Sequence, residues 1–311
     1  MRNKKITIIG AGNVGATCGL WIHTLDIADV VLVDIEEGLP IGKAFDLMQS
    51  SPLLGVDMKL LGTTDYEQTA NSDIVVITAG MPRKKSMSRN DLVAVNVKIV
   101  KEVAKKVSAV SPNCIIIVVT NPLDTMVYTV SQACPNHPKN KIIGMSGVLD
   151  SARFRTYIAE ELGVSVQDVT ALVLGGHGDD MIPLVRLATV AGIPVKEFLK
   201  EDIIESIVDR TRKAGGAFVP YLKTSAWVTP SLAVSVIIEA ILKDQKRLLP
   251  CSAYLSGEYG YSDIFVGVPV VIGKQGVEKI IEIELTDEEK NQFALNVEHV
   301  NEVNQIATNY L

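Results

Sequence analysis

Of the four histidines in this sequence, His177 alone stands between glycines, in Gly175-Gly176-His177-Gly178-Asp179, directly after the strand-like run DVTALVLG (168–175). An imidazole in that setting can be held toward a cleft, and its ordinary pKa near neutrality suits it to give and take protons. Asp150 is its natural partner. A carboxylate on one ring nitrogen fixes the tautomer, raises the imidazole pKa and leaves the other nitrogen to exchange a proton with a substrate hydroxyl. Spacing alone does not bring the two together; the fold has to. His23, His137 and His299 lack such a setting and read as surface or packing residues. Two further polar clusters, Thr120-Asn121-Pro122 and Leu149-Asp150-Ser151-Ala152-Arg153, also fall where strands end or elements begin.

A second chemistry is written at the other end of the chain. Gly10-Ala11-Gly12-Asn13-Val14-Gly15 follows the strand-like KITIIG and opens the apolar-periodic segment ATCGLWIHTL. Such glycines allow a tight turn, close backbone approach to phosphate and close helix packing, while the helix N-terminus supplies free N–H groups to a pyrophosphate. A glycine turn is also a plain structural solution, and Asp34 tips the balance. It ends the run VVLVD, 19 residues beyond Gly15, where a carboxylate accepts hydrogen bonds from adenosine ribose hydroxyls and repels a 2′-phosphate. The pair predicts a nicotinamide dinucleotide, with NAD favoured over NADP. Ile35 adds no positive charge there, which agrees.

The third feature is AGMPRKKSMSRNDL (79–92), where Arg83, Lys84, Lys85 and Arg89 follow the apolar run DIVVIT. It fits a solvated basic loop, a nucleic-acid patch, or a lid that brings positive charge over an anionic substrate. The net charge of −6 gives a whole-molecule field that repels nucleic-acid phosphates, so any positive site must be local.

These groups need a scaffold. Short β-branched runs (5–10, 30–34, 58–62, 73–78, 114–120 and 141–145) alternate with helix-period stretches, the βαβ pattern of a doubly wound parallel sheet. Past Val148 the pattern becomes α+β. A helix over 151–163 precedes strand-like 168–175 and 181–192, helical segments near 196–212 and 213–243, and strands near 249–255, 264–272 and 277–283. A final amphipathic helix starts at Thr286, its acidic run suited to a helix N-terminus. We place the boundary so that 1–145 forms a dinucleotide-binding domain and 146–311 a substrate domain. With 311 residues, 47% of them hydrophobic, the chain can bury the cores this requires. Only four apolar-type residues precede Gly10, too few for a signal-peptide core, and runs such as Leu232–Ile238 fall short of the ~18 residues of a membrane span. Cys18, Cys114, Cys134 and Cys251 have neither zinc-ligand spacing nor a C-x-x-C pair and read as buried thiols of a reducing compartment. No metal, membrane or nucleic-acid partner and a cytoplasmic setting are expected.

GAGNVG…VLVD, AGMPRKKSMSRNDL, VTNPLD, LDSARFR and GGHGDDMIP, in that order across essentially the whole chain, resemble the lactate/malate dehydrogenase family. Within it, Pro82-Arg83 at the lid is similar to malate dehydrogenases, most like the lactate-dehydrogenase-like branch; lactate dehydrogenases usually carry glutamine at that arginine. The resemblance implies a Rossmann-type first domain and an α+β second domain. It implies that His177 is the acid/base, oriented by Asp150, and that Arg153 grips the substrate's C1 carboxylate. Asn121 would hydrogen-bond the substrate and the nicotinamide ribose region, Arg89 would polarise the C2 carbonyl, and Arg83 would pair with the second carboxylate of a dicarboxylic acid. Lys84 and Lys85 would stay in solvent or attract a dianion at long range. Thr78, Ala79, Gly80, Asn96 and Val119 join the Gly10–Gly15 loop, Asp34 and Asn121 around NAD.

The implied reaction is (S)-malate + NAD ⇌ oxaloacetate + NADH + H⁺. The implied assembly is a homo-oligomer, dimer or tetramer. Two features depart from the family pattern. Lys85-Ser86 stands where proline-glycine is usual in the lid. The small pocket residue expected on the long helix of the second half has only Ser225 and Ala226, in YLKTSAWVTP, as candidates; Met145, after the sixth strand, would pack near the nicotinamide. The alternatives are a lactate or other 2-hydroxy acid dehydrogenase and a non-catalytic NAD-binding regulatory protein. An NAD-dependent, metal-assisted glycoside hydrolase would need Cys and His ligands that the second half does not pair.

Overall fold

The computed structural model describes residues 3–82 and 87–311, and of Arg89 the backbone alone. The expected alternation is present: β1 (Lys5–Ile9), α1 (Asn13–Leu25), β2 (Asp29–Val33), α2 (Leu39–Gln49), α3 (Ser51–Leu54), β3 (Leu60–Thr63), β4 (Ile74–Ile77), α4 (Arg89–Val110), β5 (Ile115–Val118), α5 (Leu123–Ala133) and β6 (Ile142–Gly144). The six strands run parallel in the order β3-β2-β1-β4-β5-β6. Ile6, Ile8 and Ile74 belong to one buried layer, with Cys18 and Ile22 of α1. Ile9, Val75 and Ile116 belong to the other, with Val97 and Val100 of α4 and Val127 of α5. Helices on both faces explain why these strands are continuous apolar runs rather than alternating ones. Strand order reverses between β1 and β4, so the loops leaving their carboxyl ends diverge and open a crevice.

The second half contains α6 (Gly147–Leu162), β7 (Val169–Thr170), β8 (Val173–Leu174), β9 (Ile182–Pro183), β10 (Thr189–Val190), β11 (Ile193–Pro194), α7 (Glu201–Ala217), α8 (Val219–Leu222), α9 (Val228–Leu242), β12 (Arg247–Ser256), β13 (Ser262–Gly273), β14 (Gly276–Ile280) and α10 (Asp287–Thr308). The antiparallel strands β12 to β14 extend the parallel sheet to nine strands through one bridge, Ser252 with Gly144. The change of pattern near residue 145 is therefore not a break in the sheet. Thr286 caps α10 through a reciprocal bond with Glu289, as its sequence suggests.

Several boundaries differ from the sequence reading. The helix expected from 151 begins at Gly147, where buried Leu149 docks the first turn and offsets the weak helix preference of Gly and Val; Ser146 at the N-cap makes no side-chain capping bond. The strands expected over 168–175 and 181–192 are broken into two-residue pieces. Pro183 has no N–H for a ladder, and a tight helical turn at Val185–Leu187 interrupts the run. The helical segments expected at 196–212 and 213–243 become α7, α8 and α9. Lys223, in a left-handed conformation (φ +59°), ends α8, so Ser225 and Ala226 lie in the loop before α9 and not on a long helix. Among the described residues no helix is long and apolar enough to cross a membrane.

Candidate active site

The glycine loop joins β1 to α1 at the strand-order reversal. A side chain at Gly10 (φ +108°) would meet Thr78 Oγ1 at 2.6 Å, and one at Gly15 would lie 1.8 Å from the Gly10 carbonyl oxygen. Both are therefore glycine for packing reasons. Gly12 differs: a Cβ there would have no atom within 4 Å. It faces open space at the N-cap of α1, beside Asn13 and Val14, and among the described residues no side chain caps the helix there. That opening suits a close-approaching anion. Asp34 follows β2. Its Oδ2 accepts from the Ala11 N–H at 2.6 Å and its Oδ1 from the Glu36 N–H at 3.2 Å, so the carboxylate shapes the loop and keeps lone pairs for ribose hydroxyls. Ile35 is 94% exposed. These residues fit an adenine dinucleotide without a 2′-phosphate.

The opposite wall comes from the ends of β4 and β5. The Thr78 hydroxyl donates to the carbonyls of Ile9 or Gly10, and that of Thr120 to Ala79 at 2.7 Å. Val119 N–H bonds Ile77 at 2.9 Å, and a side chain at Gly80 would strike Thr120 at 2.4 Å. Asn96, on α4, accepts from the Met81 N–H (2.7 Å) and donates to the Met81 (3.2 Å) and Asn121 (2.7 Å) carbonyls. Its amide thus ties the root of the basic segment to the Asn121 turn, where the Asn121–Pro122 peptide is cis. Arg83, Lys84, Lys85 and Ser86 lie outside the described residues. Arg89 begins α4, behind a Ser88–Asp91 capping box.

On the far side, the early start of α6 puts Asp150 and Arg153 on one face of its first turns. The Asp150 carboxylate is 2% exposed, and both oxygens are engaged: Oδ2 lies 2.7 Å from His177 Nδ1 and Oδ1 lies 3.2 Å from Arg153 Nη1. The side chains of His177 and Arg153 are 15% and 11% exposed, reaching the crevice from a buried base. Burial alone lowers the His177 pKa. The charge and hydrogen bond of Asp150, helped by the Asp124 charge and opposed by Arg153, outweigh it, and the net direction is upward from 6.5. An imidazole so held, beside a guanidinium with unused donors, can exchange a proton with a hydroxyl while a carboxylate is gripped next to it. Met145 is buried after β6, and His23 and His137 are buried as well.

Sequence reasoning missed Asp124 and Asn296, which meet the His177 loop from α5 and α10, and Ser252 of β12, whose hydroxyl donates to Asp124. Asp124 looked like an ordinary acidic residue in a helix first turn. Asn296 carried a weak signal, a polar residue within the apolar spacing Phe293, Val297, Val300. A cavity of about 540 Å³ opens at the amino ends of β1, β4 and β5, lined by Lys4, Asp73 and Lys141 among others. It lies away from the carboxyl-edge loops, and there Lys4 pairs with Asp73 at 3.0 Å. All four cysteines are buried; burial pushes Cys18 and Cys114 up to about 12, which leaves them inert as nucleophiles.

Residues 4–144 match the lactate/malate dehydrogenase NAD binding domain, and residues 147–308 match the alpha/beta C-terminal domain of the same family. A malate dehydrogenase of Heliobacterium modesticaldum is 55% identical over 301 residues, 96% of this chain and 97% of its own. Among solved structures, Cryptosporidium parvum malate dehydrogenase superposes with a TM-score of 0.96 at 45% identity, covering 99% of this chain and 100% of its own. The lactate dehydrogenase of the same organism, solved with lactic acid and β-nicotinamide adenine dinucleotide, gives 0.96 at 40% identity, covering 99% of each chain.

Proposed function

The chain belongs to the lactate/malate dehydrogenase family, and we propose that it interconverts (S)-malate and oxaloacetate with NAD. The observation that carries this reading is the Asp150 carboxylate bridging His177 and Arg153 at 2.7 and 3.2 Å, in a chain 55% identical to a malate dehydrogenase. NAD supplies the hydride acceptor at C2 when bound. The Gly10–Gly15 loop holds its pyrophosphate, Asp34 its adenosine ribose, and the strand-end residues Thr78, Ala79, Gly80, Val119 and Asn121 line its nicotinamide half. Asn96 supports that wall through the Met81 and Asn121 backbone.

His177 carries its Nδ1 proton toward Asp150, so Nε2 takes the malate hydroxyl proton and returns it to oxaloacetate in reverse. Asp150 stabilises the imidazolium that forms. Arg153 presents its remaining donors to the C1 carboxylate in a forked geometry that a lysine cannot reproduce. Asn121 hydrogen-bonds the substrate, Arg89 polarises the C2 oxygen as charge develops there, and Arg83 selects the second carboxylate. The domains divide at residues 145 and 146, a reading supported by the family matches ending at 144 and resuming at 147. The functional unit is a homo-oligomer, dimer or tetramer, in the cytoplasm.

Steady-state kinetics with oxaloacetate or pyruvate against NADH or NADPH test the reading. Oxaloacetate with NADH is the expected pair. Preference for pyruvate would reassign the enzyme to lactate, and NAD binding without turnover would make it a regulatory protein.

A further inference from the structure

His177 is held at two ends. Asp150 holds the ring, and a second buried carboxylate holds the backbone. Asp124, in the first turn of α5 and 6% exposed, accepts from the His177 N–H at 2.8 Å through Oδ2 and from the Ser252 hydroxyl at 2.7 Å through Oδ1. The adjacent peptide is pinned from α10, where Asn296 Oδ1 accepts from the Gly176 N–H at 2.6 Å. A side chain on Gly176 would come within 2.9 Å of Asp124 Oδ2, so the loop is seated directly on the carboxylate. Burial raises the Asp124 pKa, and its two donors oppose that. A side chain buried at such cost is matched to its place only if those donors need it.

We propose that Asp124 is a positioning residue for the reaction: it fixes the His177 peptide so that Nδ1 meets Asp150 and the ring faces the substrate. This rests on the reading of His177 as the acid/base. Two donors converge on Asp124 from different elements, and a carboxylate accepts from both whichever way it is turned. An asparagine there still accepts from the His177 N–H, because the Ser252 hydroxyl can turn to receive its amide. An alanine leaves both donors unpaired in a buried place. The ring then loses its alignment with Asp150, while Arg153 and Asp124's neighbours remain.

The test compares wild type, Asp124→Ala and Asp124→Asn in oxaloacetate reduction, NADH affinity and the pH profile of malate oxidation. Asp124→Ala is expected to bind NADH as wild type does and to lose roughly ten- to a hundredfold in kcat, the scale of a small misplacement of a reacting group. The midpoint of its malate profile moves to lower pH, and Asp124→Asn restores most of both. Loss of the Asp124 charge alone would move the midpoint equally in Asp124→Asn and Asp124→Ala, and a purely structural role would lower the melting temperature with no further shift in Asp124→Ala; either outcome overturns the proposal. If Asp124→Ala does not fold, Ser252→Ala and Asn296→Ala, each removing one bond from the same cradle, decide by the same midpoint; no shift in either overturns the proposal. An active wild type beside an Asp124→Ala enzyme with unaltered kcat and midpoint overturns the proposal alone. A wild type inert toward oxaloacetate overturns the functional reading and the proposal with it.

Discussion

Replacing Asp150 by asparagine isolates what the buried carboxylate contributes. Both of its oxygens are in use, one toward His177 Nδ1 at 2.7 Å and the other toward Arg153 Nη1 at 3.2 Å, whereas an amide has a single acceptor. If that oxygen turns to the imidazole, the NH₂ points at the guanidinium, donor against donor. If it turns the other way, His177 must carry its proton on Nε2, the nitrogen that has to accept from malate. Two routes give the size of the loss. Removing one partner of a buried ion pair costs roughly 3–5 kcal/mol. Positioned acid–base catalysis contributes about 10²- to 10⁴-fold, which at ~1.4 kcal/mol per decade is about 3–5 kcal/mol of barrier.

We therefore expect kcat to fall by about 10²- to 10⁴-fold in Asp150→Asn. The pH dependence carries the sign. Malate oxidation needs neutral His177 and rises with pH through its pKa; oxaloacetate reduction needs the imidazolium and falls through the same pKa. Burial lowers that pKa and the Asp150 charge raises it above 6.5. With the charge gone, burial and Arg153 remain, opposed only by Asp124, so both limbs move to lower pH. NADH absorbance followed in each direction across the imidazole range measures this. An unchanged kcat, or limbs that move to higher pH, would refute the assignment of Asp150.

Two further outcomes test other parts of the site. Arg83→Gln should lower kcat/KM for oxaloacetate and raise its ratio for pyruvate, because a lid closing over pyruvate would leave the Arg83 charge without a partner, at roughly 3–5 kcal/mol, about two to four decades of discrimination; an unaltered substrate ratio excludes Arg83 as the selector. Gly15→Ala puts a methyl 1.8 Å from the Gly10 carbonyl oxygen, backbone that cannot yield without opening the loop. NADH titration of this variant should show severe loss of affinity, and retention of wild-type affinity would mean that the loop does not hold the pyrophosphate.

The parts of the site legible in the sequence were those whose chemistry is local or whose side chains have few other uses. The glycine loop carries its own turn, helix start and carboxylate within a single βαβ stretch. His177 and Asp150 could be paired across 27 residues because an imidazole poised for proton exchange calls for a carboxylate. Asp124 and Asn296 could not be found this way. The atoms they meet on the His177 loop are backbone N–H groups 53 and 120 residues away, and a backbone amide leaves no mark in the sequence. The helix breaks near Lys223 and the early start of α6 were missed for a related reason: periodicity reports which residues become buried, but tertiary docking decides where a turn begins or ends.

The bond from Asn296 to Gly176 also orders events in time. A chain leaving the ribosome presents the glycine loop, Asp34 and all six parallel strands long before α10 emerges, whereas the peptide before His177 waits for a residue 120 positions downstream. The seat of His177 is completed only when α10 docks, and NADH binding to arrested nascent chains of graded length would show whether dinucleotide affinity precedes it.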